Sequence, residues 1–212
     1  SGKTTALLVA SGIKKPYSGS IKVLGKNIKS YSGGQLYRGT LTLLPQDVKT
    51  VFLKDSVREE LMGITPKEYG FSVDFDPLLD RHPYDLSGGQ QQLIALLKAL
   101  KTRPKILLLD EPTKGLDAYS KKRLSEILKA LKGKGMTVVC VTHDTEFAAQ
   151  TADRCAMVFK GQTVCTQPMK EFFGRGNFYT TPFVRMTKGL AVPAVTLEDA
   201  VELCKNGGVN KT

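Results

Sequence analysis

Apolar residues form two patterns along this chain, continuous runs and helical spacing, and their alternation predicts an α/β fold. Residues 106–109 and 136–141 form mostly apolar runs, which is typical of parallel strands that are buried on both faces. Between them, residues 119–131 carry apolar side chains at the spacing of an amphipathic helix. The order strand, helix, strand therefore predicts a parallel βαβ crossover.

Other segments predict further elements around this crossover. We expect a helix over about 4–13, an antiparallel strand over 20–25, a strand over 41–45, helices over 57–62 and 93–100, a hairpin of 155–159 with 163–166, and a helix over about 197–205. We interpret residues 1–166 as one α/β domain with a mostly parallel sheet, flanking helices, an antiparallel strand region and a helical lobe over about 47–103. Residues 167–212 are expected to form a small C-terminal appendage.

The chain opens on Ser-Gly-Lys-Thr-Thr, which reads as the end of the phosphate-loop pattern G-x-x-x-x-G-K-[ST]. The first glycine and the preceding strand are absent, so we expect this sequence to be a piece of a longer chain that lacks one strand of its sheet. A helix that starts after the loop directs its N-terminus at phosphate oxygens. The sequence therefore predicts an ATP site in which Gly2, Lys3, Thr4 and Thr5 hold the phosphates and the Thr4 hydroxyl also holds Mg²⁺.

Residues 106–112 read Ile-Leu-Leu-Leu-Asp-Glu-Pro, an apolar strand that ends in two carboxylates. A charge at the end of a buried strand is costly without a partner, so we expect Asp110 to hold Mg²⁺. Glu111 is then in position to polarise the attacking water as a general base, a role worth about 10²–10⁴-fold in rate. The alternative is an acid pair that caps a helix, and the Pro-Thr that follows makes it less favoured.

Residues 86–90 read Leu-Ser-Gly-Gly-Gln and open a helix with small residues and exposed backbone N–H groups. This composition suits the binding of a phosphate. An ordinary helix N-cap at Ser87, followed by flexible glycines, is the alternative interpretation.

Taken in order, these motifs resemble the ATP-binding cassette (ABC) ATPases over roughly residues 1–170. The resemblance implies that Gln46 touches Mg²⁺ and water and faces a transmembrane partner, and that His143 contacts the γ-phosphate of ATP. It also implies a head-to-tail dimer with a second cassette, in the same or a different chain. The residues that would act across this dimer are Ser87, Gly88, Gly89, Gln90 and Asp117.

Within that class, residues 51–61 resemble the cobalt and energy-coupling-factor (ECF) importer ATPases. Residues 110–119 and 177–181 resemble the second cassette of their double-cassette forms. The resemblance implies a peripheral motor at the cytoplasmic face of the cell membrane. It would drive uptake of a vitamin, a vitamin precursor or a metal ion through an integral membrane scaffold and a substrate-binding membrane subunit. Leu93 and Ala118 depart from the common pattern without removing a catalytic group.

The net charge of +11 favours anionic partners but does not choose among them. One alternative is therefore a soluble ABC ATPase that remodels a ribosome or nucleic acid. Only 40 residues (87 − 46 − 1) separate Gln46 from Ser87, which leaves no room for the long coiled coil of chromosome and repair ATPases. A phosphate-loop kinase would not need residues 86–90. We therefore expect an importer motor with no direct nucleic-acid partner.

Overall fold

The computed structural model describes residues 2–32, 34–174, 180–190 and 192–205. The described helices are α1 (Lys3–Ala10), α2 (Val57–Leu61), α3 (Gly88–Leu100), α4 (Ala118–Gly133), α5 (Thr145–Thr151), α6 (Met169–Gly174), α7 (Pro182–Met186) and α8 (Leu197–Lys205). The described strands are β1 (Lys22–Val23), β2 (Lys26–Asn27), β3 (Leu41–Leu44), β4 (Ile106–Asp110), β5 (Thr137–Val141), β6 (Arg154–Phe159) and β7 (Gln162–Pro168).

A parallel sheet with the spatial order β3-β4-β5 forms the centre of the first compact unit, residues 2–142. β4 is its most buried strand, because Leu107 and Leu109 are fully enclosed. α4 connects β4 to β5, so the predicted βαβ crossover is confirmed. Since parallel strands end at the same edge of a sheet, the residues that follow β3, β4 and β5 come together there.

The predicted antiparallel strand over 20–25 is shorter in the structure. Leu24 and Gly25 have φ angles of 48° and 79°, which turn the chain after Val23 so that β1 pairs with β2. The predicted first helix also ends earlier, at Ala10, because Gly12 takes the left-handed conformation that commonly terminates a helix.

Side chains from the hairpin and from α1 pack on the central sheet in one apolar cluster. Its buried members are Leu7, Val23, Leu36, Leu41 and Leu108. This cluster fixes the start of α1 relative to β4, which is the relation that a phosphate loop and a strand-end carboxylate require.

The region 47–103 is helical, as predicted, but much of it consists of 3-10 turns, at 48–51, 66–69, 76–78 and 83–85. Its longest element, α3, buries the run Ile94–Leu97 completely. α3 begins at Gly88, so the helix predicted over 93–100 extends back to the glycine pair.

A buried ion pair organises the chain after Gln46. Glu60 is only 2% exposed, and its carboxylate accepts hydrogen bonds from Lys98 Nζ at 2.5 Å and from the N–H groups of Leu53 and Lys54. Burial opposes the ionisation of Glu60, but these donors together lower its pKa below the ordinary value. Lys98 also donates to the carbonyl oxygen of Val51 at 2.6 Å. The segment 51–54 is thereby tied to α2 and α3.

The second compact unit comprises the described residues from His143 onward. Its hairpin of β6 and β7 confirms the predicted one, with Phe159 paired to Gln162 across the turn. The helix predicted over about 197–205 is present as α8 up to Lys205, the last described residue. The domain boundary at 166/167 and the helical lobe over about 47–103 remain predictions. Ser1, residues 177–179 and the predicted helix stop at 206–208 lie outside the described residues.

Candidate nucleotide-binding site

The start of α1 has the backbone of a phosphate-binding turn. Gly2 precedes the helix with φ 85°, a left-handed backbone conformation that residues other than glycine rarely adopt. The first intrahelical bond runs from the Ala6 N–H to the Gly2 carbonyl at 2.9 Å. Since the first amides of a helix have no acceptor within it, this end of α1 is suited to an anion. Thr5 is exposed in the same first turn.

Thr4 joins this turn to the acidic end of β4. Its hydroxyl donates a hydrogen bond to Asp110 Oδ1 at 3.2 Å, across 106 positions of the sequence. Asp110 is the last residue of β4 and is 5% exposed. Two of the three residues that the sequence predicts to bind Mg²⁺, Thr4 and Asp110, therefore lie in contact, while nothing joins Gln46 to them in the described hydrogen bonds.

This pair fits a magnesium ion. A hydroxyl and a carboxylate supply the hard oxygen donors that Mg²⁺ prefers, and Mg²⁺ usually takes its other ligands from water and phosphate. Asp110 would also gain a positive partner for its buried charge.

Glu111 leaves the strand in an unusual backbone conformation. Its φ is 47°, in the left-handed region, which costs a residue other than glycine about 1–3 kcal/mol. Its N–H donates to the carbonyl oxygen of Val141 at 2.7 Å, so the end of β5 helps to hold the turn. This strained conformation stands directly after Asp110, where β4 ends.

The other predicted residues, Gln46 and His143, follow strands β3 and β5 in the chain. Leu44 pairs with Leu109, so Gln46 and Glu111 are each two residues past a paired position on neighbouring strands. Gln46 is exposed. His143, also exposed, is the second residue after β5 in the chain and belongs to the second unit.

Sequence reasoning missed Thr113 at this edge. Its hydroxyl lies 3.4 Å from that of Thr142, and its side chain is buried. A threonine two residues after the acid pair carries no distinctive spacing, so only the tertiary contact reveals it.

Ser87 and Gln90 form a reciprocal capping box at the start of α3. Ser87 Oγ accepts from the Gln90 N–H at 3.3 Å, and Gln90 Oε1 accepts from the Ser87 N–H at 2.9 Å. The structure thus shows the N-cap of the alternative interpretation. Phosphate binding at Ser87 stays a prediction that is compatible with it, because the cap uses the Ser87 oxygen as an acceptor while its O–H remains a potential donor.

Asp117 caps α4 through its side chain. Asp117 Oδ1 accepts from the Ser120 N–H at 2.8 Å. Hydrogen bonds from the side chain and then the backbone of Ser120 lower the pKa of Asp117, which keeps the carboxylate ionised. Ser120 is a second residue that sequence reasoning missed, because an N-cap aspartate accepts from the backbone N–H three positions on whatever side chain stands there.

Comparisons with known proteins agree with this arrangement. The model of the family described as ABC transporter matches residues 1–114. An ABC transporter ATP-binding protein of Bacillus anthracis is 37% identical over 216 residues, which cover 97% of this chain and 39% of that protein. The energy-coupling factor transporter ATP-binding protein EcfA2 of Streptococcus thermophilus is 32% identical over 225 residues, covering 98% of this chain and 78% of that protein. The chain therefore belongs to the ABC transporter family.

Solved structures agree at the level of the fold. cbiO1 of Clostridium perfringens, part of the ABC transporter complex cbiONQ, is similar with a TM-score of 0.65 and 28% identity over 81% of this chain and 74% of that one. A dimeric ATP-binding cassette with bound ADP and Pi gives a TM-score of 0.65 at 22% identity, over 79% of this chain and 81% of that one. The chain is thus an ABC-type ATPase domain, and the predicted resemblance to cobalt and ECF ATPases is confirmed.

The share of the relatives' length and the character of the helices complete the comparison. The chain spans about two fifths of the length of the Bacillus anthracis relative. In the described residues, no helix combines the length and apolarity needed to cross a membrane. That the chain is the second of two cassettes stays a prediction.

Proposed function

We propose that this chain is the ATP-hydrolysing motor of an ECF or cobalt-type importer, and that it drives uptake of a vitamin, a vitamin precursor or a metal ion. The observation that carries the proposal is the contact between Thr4 and Asp110, which joins the phosphate turn to the acidic strand end. The similarity to EcfA2 and cbiO1 supports the choice of importer class.

The chemistry divides among the residues of the first unit. Gly2, Lys3, Thr4 and Thr5 bind the phosphates, and the Lys3 ammonium offsets their charge. Thr4, Asp110 and Gln46 would hold Mg²⁺, which when bound neutralises charge on the β- and γ-phosphates.

The remaining catalytic roles belong to Glu111 and His143. Glu111 accepts a proton from the attacking water, and its strained backbone at φ 47° is typical of a residue at a functional site. His143, directly after β5 and Thr142 in the chain, contacts the γ-phosphate and reports whether ATP is present.

A second ABC cassette completes each site in this proposal. Ser87, Gly88, Gly89, Gln90 and Asp117 bind the nucleotide held by that cassette and line the contact between the two. Ser87, Gly88 and Asp117 are exposed at the starts of α3 and α4, and Gly89 and Gln90 are partly exposed, which supports such a role.

An exposed apolar side chain supports contact with membrane partners. Leu53 is 80% exposed, yet its backbone is held by Glu60 in the segment that follows Gln46. An exposed apolar side chain on a hydrogen-bonded backbone, shortly after Gln46 in the chain, suits docking of an integral membrane scaffold, which would carry the substrate-binding subunit. The chain would then work at the cytoplasmic face of the cell membrane.

Co-purification tests this proposal. The tagged full-length protein, isolated from detergent-solubilised native membranes, should bring down a multi-span membrane protein and a small membrane companion that mass spectrometry identifies. Leu53→Lys should lower their recovery at least about fivefold, or about 1 kcal/mol in affinity. Met186→Lys, at an equally exposed methionine of the second unit, should not.

The opposite result has a clear meaning. Recovery of ribosomal proteins or nucleic acid without a membrane subunit would replace the importer with the soluble remodelling ATPase that the net charge of +11 also allows.

A further inference from the structure

Ser120 lies where two separate motif segments meet. It is the third residue of α4, and both its backbone N–H and its side chain hydrogen bond to the carboxylate of Asp117. Since Asp117 is the N-cap, this arrangement fixes the first turn of α4 and holds the carboxylate in one orientation.

The other face of Ser120 touches Gly89. A Cβ atom built on Gly89 would lie 2.6 Å from Ser120 Oγ and 3.3 Å from Ser120 Cβ. Gly89 has an ordinary helical backbone, so glycine is required here by the lack of space and not by backbone freedom. The first turn of α3 therefore packs directly against the side chain that holds Asp117.

The neighbouring glycine provides an internal contrast. A Cβ atom on Gly88 would meet only the carbonyl oxygen of Gly115, at 3.8 Å, which is ordinary van der Waals contact. The two glycines of the same motif thus have different reasons to lack a side chain. Only Gly89 is tied by packing to Ser120.

We propose that Ser120 is a positioning residue for ATP hydrolysis, which holds Gly89 in α3 and the Asp117 carboxylate in α4 as one unit. The inference rests on the proposed function, in which residues 87–90 and Asp117 act on the nucleotide of a second cassette. Because Ser120 contacts both segments, a shift of one is transmitted to the other. Nucleotide binding at Lys3 and Thr4 does not depend on this contact.

The test is a double-mutant cycle in the full-length protein. Gly89→Ala should lower kcat about 10- to 100-fold, since displacements near 1 Å have effects of this size. Ser120→Gly removes both atoms that the new methyl group would meet. Ser120→Gly alone should lower kcat, by less than Gly89→Ala does, because the Asp117 carboxylate loses its side-chain donor. Gly89→Ala combined with Ser120→Gly should therefore regain the kcat of Ser120→Gly alone, while the KM for ATP stays within twofold throughout. A wild-type kcat in Ser120→Gly would remove Ser120 from the positioning role.

Gly88→Ala is the matched control, because its Cβ does not meet Ser120. Ser120→Gly should give no recovery of kcat in the Gly88→Ala background. Melting temperatures of all variants show that they are folded. Recovery confined to the Gly89 background supports the inference.

Two other results overturn it in different ways. An active wild-type protein in which Ser120→Gly fails to rescue Gly89→Ala, or rescues Gly88→Ala equally well, removes the role of Ser120 and leaves the proposed function intact. A folded full-length protein that does not hydrolyse ATP removes the proposed function, and the inference with it.

Discussion

Asp110 and Glu111, the two adjacent acids at the end of β4, differ in backbone conformation and in burial. Asp110 remains in the strand, buried and bonded to Thr4, so its position is set by the sheet. Glu111 takes a left-handed conformation and leaves the strand. In the proposed function, the first carboxylate holds a metal ion and the second accepts a proton.

Glu111→Gln should lower the turnover of ATP by about 10²–10⁴-fold, because glutamine keeps the shape of glutamate but cannot accept a proton. Phosphate release measures the turnover, and equilibrium binding of ATP should remain unchanged. The matched control is Glu126→Gln on the exposed face of α4. Turnover in Glu111→Gln that equals the control would remove Glu111 from the role of base.

Asp110→Asn should raise the Mg²⁺ concentration for half-maximal hydrolysis at least about tenfold, which is about 1.4 kcal/mol. The neutral amide attracts the cation less than the carboxylate does. Asp80→Asn, in an exposed ion pair with Arg58, is the control. An unchanged Mg²⁺ titration in Asp110→Asn would contradict the metal assignment, and a chelator should stop hydrolysis in every variant.

Among the elements, α2 and α3 depend on the buried ion pair of Glu60 and Lys98. Glu60→Gln leaves the Lys98 ammonium without its charged partner, and such changes cost about 3–5 kcal/mol when a pair is buried. Asp80→Asn, which breaks an exposed pair, should cost about 0–1 kcal/mol. Urea unfolding at pH 7 measures both, and equal losses would show that burial of the pair is not important.

The same pair predicts a dependence on pH. The pKa of Glu60 is lowered from 4.5 in the folded state, so its stabilising contribution is fully present above that value. This contribution is lost as the pH falls through the folded pKa. The difference in unfolding free energy between wild type and Glu60→Gln should therefore narrow below about pH 4.5. A difference that stays constant into acid would contradict the assigned charge state.

For the whole molecule, the proposed function requires two cassettes to enclose ATP. The full-length Glu111→Gln variant should retain ATP through gel filtration. Its two cassettes should stay closed around ATP, because they open only after hydrolysis and hydrolysis is slow. Adding Ser87→Arg should abolish this retention, since the new side chain would block the approach of the second cassette. Equilibrium binding of a fluorescent ATP analogue should survive, because the phosphate turn at Lys3 is untouched. Retention despite Ser87→Arg would argue against a shared site.

Local sequence patterns predicted much of the secondary structure, because they involve residues that are close together in the chain. The apolar run of β4 and the helical spacing of α4 define the crossover without any tertiary information. The capping pair Ser87 and Gln90 likewise lies within one turn of chain. The turn at Leu24 was missed because a leucine with positive φ has no local signal.

The sequence by itself determined the order of the motifs, the family resemblance that they carry and the residue types that we propose to bind phosphate and metal. All of these follow from side-chain chemistry and from spacing along the chain. Only the tertiary structure decided that Thr4 reaches Asp110, that Glu111 is strained and that Gly89 packs on Ser120. These relations join residues far apart in the chain or depend on a backbone angle, and packing of the whole unit sets both.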